Sequence, residues 1–310
     1  MTSEPKQAGR GKRRWFQFSL RSLLLAMLVF GCAFGWIAHE RQRAWEGQQA
    51  KMAIEKAGGR FTGFHEGARP PWLAAILGDD SYERNSWIAL HGPLVTDKTL
   101  KYLPYFKRTK FLHLSDTQVT DAAWTDILEL QELESLSIHR SPISDKGLAR
   151  LPVLKKLRSL DLDGPQFTDA GLVHLVGLSR LDTLWLEGTQ VSDAGMIHLA
   201  KMPQLLRLDL RELPLTDAGF AHLKSLQNLE SLTLNDTRIT DDGMRHLGEL
   251  GMLKWLSVAN TEVTDAGLIH LARLKGLQFV GLDRTKVTMS GIEELQRALP
   301  QTEINHSLEQ

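Results

Sequence analysis

The chain has 310 residues but a single cysteine, Cys32. One cysteine excludes an intramolecular disulfide and any zinc site built on paired cysteines. The chain also lacks a charge excess of either sign, because 37 Lys and Arg residues balance 37 Asp and Glu residues. A nucleic-acid-binding protein is expected to carry a basic patch or stripe, so we expect no DNA or RNA partner.

Sequence motifs of catalysis are missing as well. The chain contains no glycine-rich phosphate-binding loop and no nucleophile elbow. His113 and His139 are expected on adjacent strands but at different positions of the repeat described below, whereas an active site needs one constellation of nucleophile and base. We therefore predict a protein that is not an enzyme and that uses no cofactor and no metal ion.

The sequence does contain a short pattern that is repeated many times. A Ser/Thr-Asp pair recurs at steps of 24 residues. The eight copies are Thr96/Asp97, Thr120/Asp121, Ser144/Asp145, Thr168/Asp169, Ser192/Asp193, Thr216/Asp217, Thr240/Asp241 and Thr264/Asp265. A ninth copy keeps Thr288 but has Met289 in place of the acid. Seven copies carry a glycine in phase, from Gly147 to Gly291. An active site occurs once in a domain, so a feature repeated eight times belongs to the architecture.

Each copy encodes a strand, a turn and a helix. In the eighth copy, Leu253, Leu256 and Val258 have the spacing L-x-x-L-x-L of a short strand with alternate residues buried. Three leucines spaced three apart, from Leu268 to Leu274, then lie on one helical face. The chain is 42% hydrophobic, enough for a substantial core. One 24-residue unit is too small to fold alone, so the copies must stack.

Stacking predicts the overall shape. Strands in one parallel sheet lie about 4.8 Å apart, whereas packed helices need about 8–10 Å between their axes. The array is therefore expected to bend into an arc. We predict an α/β solenoid with a curved parallel sheet inside and helices outside.

The recurring polar residues have structural interpretations. Thr264 or Asp265 is expected at the start of the eighth helix, where a side-chain oxygen accepts from free N–H groups and a carboxylate meets the positive end of the helix dipole. Gly267 is expected to make room for the adjacent repeat, because glycine within a helix is otherwise unfavourable. His270 is expected on the solvated outer face, too far from its equivalents to share a metal ion. These equivalents are His174, His198, His222 and His246.

The pattern L-x-x-L-x-L-x-x-T-x-V-T-D-A-G-L-x-x-L-x-x-L resembles the leucine-rich repeat family in its 24-residue bacterial form. The usual Asn or Cys at the ninth position is mostly Thr here, at Thr117, Thr189, Thr237, Thr261 and Thr285. The resemblance extends over nine copies in residues 85–300, and it implies a curved scaffold that binds another protein through its sheet face. Residues 70–90 resemble the cap that bacterial anchored members place before the first repeat, a short helix that covers the open end of the core. Residues 302–306 predict a last half-repeat strand.

The N-terminal part carries an apolar segment. Residues 1–14 are polar and basic, and residues 23–38 contain no charged side chain. Helical residues rise about 1.5 Å each, so a start near Leu20 brings the segment close to the ~30 Å hydrocarbon thickness if Arg21 extends to the interface. The aromatic residues Trp15, Phe16, Phe18 and Trp36 suit the two membrane interfaces. Lys and Arg are more numerous before the segment than just after it, which predicts a cytoplasmic N-terminus and repeats outside the cytoplasm.

These observations predict a division of the chain into six parts. Residues 1–14 form a basic cytoplasmic tail, 15–38 a transmembrane anchor and 39–59 a juxtamembrane helical stalk. Residues 60–84 form an N-terminal cap, 85–300 the nine leucine-rich repeats, and 301–310 a C-terminal half-repeat and tail.

Two alternatives stay open for the apolar segment. One is a cleaved signal peptide, against which Trp36, Ile37 and Ala38 give no A-x-A cleavage site. The other is a lipoprotein signal at residues 29–32. That match is poor, because Phe30 is bulky and the apolar run continues past the cysteine.

The third, fifth and seventh positions of each strand are expected to point to the concave surface. Among them, the predicted partner-binding residues are Asp161, Asp163, Trp185, Glu187, Asp209 and Arg211. An aromatic anchor among charged residues is typical of interfaces, and we expect a protein partner with a basic patch. For the aromatic residues at the two ends, packing against caps or neighbours is the alternative. These residues are Trp87, Phe111, Trp255 and Phe279.

The sequence thus predicts a non-catalytic, membrane-anchored leucine-rich repeat protein that binds a protein partner through its concave sheet face. The alternative is an intracellular adaptor that recruits proteins, since the spacing also resembles the repeats of F-box substrate adaptors. No F-box-like segment precedes the repeats, and the apolar segment stands in its place.

Overall fold

The computed structural model describes residues 20–64, 70–78 and 85–307. Eleven strands form one sheet, and their order along the sheet is their order along the chain. They are β1 (Gly59–Phe64), β2 (Asn85–His91), β3 (Phe111–Ser115), β4 (Ser135–His139), β5 (Ser159–Asp163), β6 (Thr183–Trp185), β7 (Arg207–Asp209), β8 (Ser231–Thr233), β9 (Trp255–Ser257), β10 (Phe279–Gly281) and β11 (Glu303–Asn305). The predicted solenoid is confirmed. The predicted basic tail and the interface residues Trp15, Phe16 and Phe18 lie outside the described residues.

From β2 to β11, neighbouring strands are parallel and pair at the repeat period. Phe111 lies opposite Ser135, and Ser135 lies opposite Ser159, each 24 residues further along the chain. The same offset holds at the far end, where Phe279 lies opposite both Trp255 and Glu303. The period therefore brings equivalent side chains side by side on one face of the sheet.

Strand β1 differs from the others because it runs antiparallel to β2. Gly59 lies opposite Leu90, and Thr62 lies opposite Trp87. The sequence predicted a short covering helix at this end, and the structure has both helix α2 (Pro71–Leu77) and this strand. By pairing with β2, β1 covers backbone groups that an edge strand would otherwise expose.

Helices and turns connect the strands on the outer side. After α1 (Leu20–Lys56) and α2 come α3 (Asp97–Leu100), α4 (Trp124–Ile127), α5 (Asp145–Leu148), α6 (Asp169–Leu175), α7 (Met196–Leu199), α8 (Asp217–Phe220), α9 (Asp241–Leu247), α10 (Asp265–Leu271) and α11 (Met289–Ala298). The described part of the chain also has 3₁₀ turns at Leu103–Tyr105, Asp121–Ala123, Leu151–Val153 and Leu223–Ser225. The outer segments are thus short and vary from repeat to repeat, while the sheet is regular.

The core lies between the sheet and the outer segments. In the eighth repeat the predicted core residues Leu253, Leu256, Val258, Val263, Leu268, Leu271 and Leu274 are all buried. Side chains at these positions join one continuous apolar cluster that extends through all the repeats. Each repeat therefore gains its buried area by contact with its neighbours.

The recurring aspartates join successive repeats. The backbone N–H of Thr264 donates to Oδ1 of Asp241 at 2.8 Å, and the Thr264 hydroxyl donates to Oδ2 at 2.7 Å. The same pair of bonds recurs at Asp97/Thr120, Asp121/Ser144, Asp145/Thr168, Asp169/Ser192, Asp193/Thr216, Asp217/Thr240 and Asp265/Thr288. Thr264 also caps its helix, because its hydroxyl accepts from the N–H of Ala266. The threonine is thus the predicted cap, whereas the aspartate reaches to the next repeat.

Six of the seven in-phase glycines make room for these bridges, whereas Gly147 makes room for the side chain of Trp124. A Cβ on Gly267 would lie 2.5 Å from Oδ1 of Asp241, and a Cβ on Gly195 would lie 2.1 Å from Oδ1 of Asp169. The predicted steric role of Gly267 is therefore confirmed, and the atom it accommodates is the bridging carboxylate.

The outer-face histidines are half-buried and not fully solvated as the sequence indicated. The physical reason is close packing of successive outer segments. A Cβ on Gly248, for example, would lie 2.6 Å from the carbonyl oxygen of His270.

Helix α1 is a single helix of 37 residues with two different halves. Its apolar first half is exposed, and it is long and apolar enough to cross a membrane. In its second half Ala44, Gly47, Ala50 and Ile54 are buried. The phenol of Tyr105 donates to Glu46 at 3.2 Å. The segment predicted as a stalk is thus helical up to Lys56, and one of its faces packs against the first repeat.

Candidate partner-binding face

One face of the sheet carries rows of equivalent side chains from β2 to β10. Alternation along each strand buries Ile88 and Leu112, whereas Trp87 and Phe111 remain exposed. The third-position row reads Trp87, Phe111, Ser135, Ser159, Thr183, Arg207, Ser231, Trp255 and Phe279. The row has aromatic residues at both ends, and between them small polar residues together with Arg207.

A groove of about 280 Å³ lies on this face. Its lining comprises Trp87, Phe111, Leu112, His113, Ser135, Ser137, His139, Ser159, Asp161, Trp185, Glu187, Asp209 and Arg211. The groove brings together five of the six residues predicted for partner binding. The sixth, Asp163, lies outside the lining, opposite His139 in the sheet register.

Trp185, on β6, is one of the aromatic residues that line the groove. It is half-buried and lies opposite Asp161 on one side and Asp209 on the other. Because both neighbouring residues are acidic, the indole is flanked by carboxylates.

Asp209 is buried, and its charge is compensated within the chain. The Nε of Arg211 lies 3.0 and 2.9 Å from the two carboxylate oxygens of Asp209, and Nη2 of Arg211 also contacts the carboxylate. This hydrogen bonding to Asp209 raises the pKa of the Arg211 guanidinium. Asp209 therefore holds Arg211 in place and is not accessible to a partner as a charge of its own.

Asp161 is also engaged. Its Oδ2 lies 2.6 Å from Nε2 of His139 and accepts a 2.9 Å hydrogen bond from the hydroxyl of Ser137. The hydrogen bond that His139 makes to the Asp161 carboxylate raises the pKa of His139, against the opposing effect of burial. The pair is therefore a charge-assisted contact when His139 is protonated.

Glu187 differs from these two carboxylates. Its oxygen is 3.7 Å from Nε of Arg211, beyond hydrogen-bonding distance. Burial raises the pKa of Glu187, and the nearby Asp209 adds to this shift. Glu187 is thus the lining carboxylate best placed to meet a cationic group.

Three histidines form a row that the sequence reasoning did not assign to the site. The ring centroids of His91 and His113 are 5.1 Å apart, as are those of His113 and His139. Burial lowers the pKa of His113, and its two histidine neighbours add to the shift. The signal was present in the sequence, because these residues occupy fifth and seventh positions. Among residues 20–64, 70–78 and 85–307, no group of three or more His, Cys, Asp or Glu has the geometry of a metal site.

The end aromatics stack in pairs. Trp87 and Phe111 have ring centroids 5.7 Å apart, and Trp255 and Phe279 have centroids 3.8 Å apart with nearly parallel rings. Each pair therefore packs across two neighbouring strands of the same face.

Comparison with known proteins gives the same fold. Residues 225–248 match the family model described as Leucine Rich repeat. The crystal structure of internalin C2 from Listeria monocytogenes is 25% identical and superposes with a TM-score of 0.52, covering 68% of this chain and 82% of that one. Internalin F from the same organism is 20% identical with a TM-score of 0.48, covering 75% and 78% of the two chains. No curated protein sequence gives a significant match.

The period, the sequential parallel sheet and the matched repeat define a leucine-rich repeat solenoid. The chain is therefore similar in fold to leucine-rich repeat proteins, and one of its repeats matches the family model.

Proposed function

We propose that this protein is a non-catalytic, membrane-anchored leucine-rich repeat module that binds a protein partner through its concave sheet face. The residues proposed to form the binding site are Asp161, Asp163, Trp185, Glu187, Asp209 and Arg211. Asp209 would contribute by holding Arg211 in place. The observation that carries the proposal is the groove lined by Trp185, where this aromatic side chain has charged residues as neighbours. Buried aromatic and arginine anchors contribute most to protein interfaces.

Charge favours a partner with a basic patch. In the groove lining, carboxylates outnumber guanidinium groups three to one. Burial raises the pKa of Glu187, and the nearby carboxylate of Asp209 adds to the shift. A cationic side chain placed beside Trp185 would be attracted by Glu187 and by the indole face.

The size of the face also fits a protein partner. Eight gaps of about 4.8 Å between β2 and β10 make the face about 38 Å long. A standard protein interface buries about 800 Å² on each partner, which a face of this length accommodates.

We propose that residues 15–38 are a retained anchor. A signal sequence near an N-terminus has the same length and composition. Two observations favour retention: Trp36–Ala38 gives no small-residue cleavage site, and α1 continues unbroken from the apolar segment into its buried half. The excess of Lys and Arg before the segment favours a cytoplasmic N-terminus with the repeats outside.

Partner binding is tested by site-specific photo-crosslinking in cells. A photoreactive residue at Trp185 is expected to give a discrete adduct, whereas one at Ile269 on the outer face is not. Trp185→Ala combined with Asp163→Ala is expected to abolish the adduct of a probe placed at Glu187 while the melting curve stays nearly unchanged. An unaltered adduct would remove the concave face as the binding site.

Topology is tested with reporter fusions after residue 60 and after residue 310, together with a tag at the N-terminus. Reporters active outside the cytoplasm, with the tag retained in the membrane fraction, support the anchored module. A cytoplasmic reporter supports the intracellular adaptor, and loss of the tag supports a cleaved signal.

A further inference from the structure

The helix that carries the apolar segment also closes the first repeat. Helix α1 continues without interruption from Leu20 to Lys56, and the buried residues of its second half begin at Ala44. A Cβ on Gly59 would lie 2.3 Å from Cγ2 of Ile54 and 2.9 Å from Cδ2 of Leu90, so this half is in tight contact with β1 and β2. The distance between the apolar segment and the cap is therefore fixed by helix geometry.

That geometry places the start of the buried half close to the membrane surface. Arg41 and Ala44 follow Ala38, the last residue of the uncharged run, by three and six residues. At 1.5 Å per residue they lie about 4.5 and 9 Å further along the helix axis. The headgroup region adds about 5–8 Å on each side of the hydrocarbon layer. Arg41 and Ala44 thus lie in or just above the headgroups when the apolar half crosses the bilayer.

Helix α2 is packed against α1 at this level. A Cβ on Gly78, the residue that ends α2, would lie 2.6 Å from Cβ of Ala44 and 3.8 Å from Cα of Arg41. Leu77 is buried. The C-terminal end of α2 therefore sits within a few ångströms of the membrane level defined by α1.

The outer face of α2 is apolar and exposed. Trp72 is 66% exposed and Ile76 is 44% exposed, and Ala75 on the same face is exposed as well. Trp45, seven residues beyond Ala38 on α1, is also exposed. Tryptophan is enriched at membrane interfaces, where its ring is partly apolar and its N–H is hydrated.

We propose that α2 is an interfacial helix that rests on the bilayer crossed by α1, with Trp72 and Ile76 in the headgroup region. The proposal rests on the proposed anchor and adds a second contact with the same membrane. Two contacts on one rigid cap fix the tilt of the solenoid. The concave face is then held in one orientation and does not swing on a flexible tether.

The single cysteine allows a direct test with the full chain. In a Cys32→Ser background, single cysteines at Ala75, Phe30 and Ile269 are labelled with an environment-sensitive fluorophore. The protein is reconstituted in phosphatidylcholine vesicles that carry nitroxide lipids labelled at the headgroup or at mid-chain. The label at position 30 reports the depth of the membrane-spanning segment, and the label at position 75 reports the depth of α2. The label at position 269 reports the outer face of the solenoid, far from the cap.

For the label at position 75 we expect a blue-shifted emission and quenching of the fluorescence by headgroup nitroxide. For the label at position 30 we expect quenching by mid-chain nitroxide. The label at position 269 is expected to show neither a blue shift nor quenching. Loss at Phe30 without loss at Ala75 overturns the interfacial helix and leaves the anchor intact. No loss at Phe30 removes the anchor and the present proposal with it. A blue shift at Ala75 that disappears on dilution and ignores the lipid nitroxide identifies a contact between copies, which also overturns the proposal.

A double substitution separates the lipid contact from a folding effect. Trp72→Gln with Ile76→Gln is expected to remove the quenching at Ala75, while the quenching at Phe30 and the far-UV circular dichroism stay unchanged. Ile269→Gln is the matched control and is expected to change none of these signals. Retained quenching at Ala75 in the double variant contradicts a role for these two side chains.

Discussion

At the residue scale, every repeat has one residue with left-handed backbone geometry just after its strand. Nine residues spaced 24 apart have φ between 44° and 123°. They are Gly92, Asp116, Arg140, Gly164, Gly188, Glu212, Asp236, Asn260 and Arg284. Most of them are not glycine, although this region costs other residues about 1–2 kcal/mol. The backbone therefore turns at this position whatever the side chain, and composition alone could not reveal it.

Arg284 offers a clean test of this geometry, because its side chain is exposed and its φ is 54°. Arg284→Val is expected to destabilise the protein by about 1–2 kcal/mol, since a β-branched residue is a stronger outlier in this region. Arg284→Gly is expected to be neutral or stabilising within about 1 kcal/mol. Urea unfolding measures both variants. Equal stability of the valine and glycine variants would contradict a left-handed requirement.

The contact between His139 and Asp161 gives a pH prediction. Because the hydrogen bond raises the pKa of His139, its stabilising contribution is present below the ordinary histidine pKa and is lost as pH rises through the raised value. Asp161→Asn is expected to bring the His139 titration to lower pH, since burial then acts without the carboxylate. An NMR titration of the imidazole signals measures the shift.

Asp163→Asn is the matched control for that titration. Asp163 acts on His139 only through its charge, without a hydrogen bond, so a smaller shift is expected. An unchanged His139 titration in the Asp161 variant would show that the hydrogen bond does not set the pKa.

The sequence also overstated how many charges of the candidate site are accessible. Asp209 and Arg211 are two residues apart at the end of one strand and therefore point to the same side, which allows them to pair. Alternation predicted their common face correctly. It did not predict that the guanidinium would neutralise the buried carboxylate, because that depends on side-chain conformation.

At the scale of elements, the aspartate bridges are the polar connection between successive outer segments. Asp241 and Asp242 both lie in the first turn of α9, so both meet the same helix dipole. Asp241 bonds to Thr264 of the next repeat, whereas the side chain of Asp242 is exposed. Substitutions of these two adjacent aspartates therefore distinguish the contribution of the bridge to stability from that of the helix dipole.

Asp241→Ala is expected to destabilise the protein by about 2–3 kcal/mol, because it removes two hydrogen bonds to a carboxylate and leaves a partly buried N–H without its acceptor. Asp242→Ala is expected to cost at most about 1 kcal/mol, the dipole contribution alone. Thermal and urea unfolding of the two variants give the difference. Similar losses of stability in both variants would show that the recurring aspartate acts through the helix dipole and not through the bridge.

Two elements could not be predicted from the repeat. Residues 59–64 precede the first copy, so the period says nothing about β1 or its antiparallel direction. The buried positions of α1, at Ala44, Gly47, Ala50 and Ile54, are spaced three or four apart, a helical spacing present in the sequence. Small residues at three of these positions hid the packed face, because they do not stand out as hydrophobic.

At the scale of the whole molecule, the repeat period determined most of the fold. A fixed offset of 24 residues sets the sheet order, the register and the row of concave side chains together. The repeat period does not determine the two ends of the array. A terminal repeat has a neighbour on one side only, so its exposed core must be covered by a different element. Here that cover is α1, α2 and β1 at one end, and α11 with β11 at the other.

This architecture predicts that a destabilising substitution at one end affects the stability of the neighbouring repeats and not that of distant ones. Ile54 is fully buried at the contact of α1 with β1 and β2, whereas Met52 on the same helix is exposed. Ile54→Ala is expected to cost about 2–5 kcal/mol at the N-terminal end, because it leaves a cavity in the core. Repeats contact only their neighbours, so faster amide hydrogen exchange is expected in β2 and β3 but not in β9 and β10. Met52→Ala serves as the control and is expected to leave exchange unchanged in all four strands. Uniformly faster exchange through β10 would mean that the array unfolds as one unit, with α1 controlling the stability of the whole solenoid.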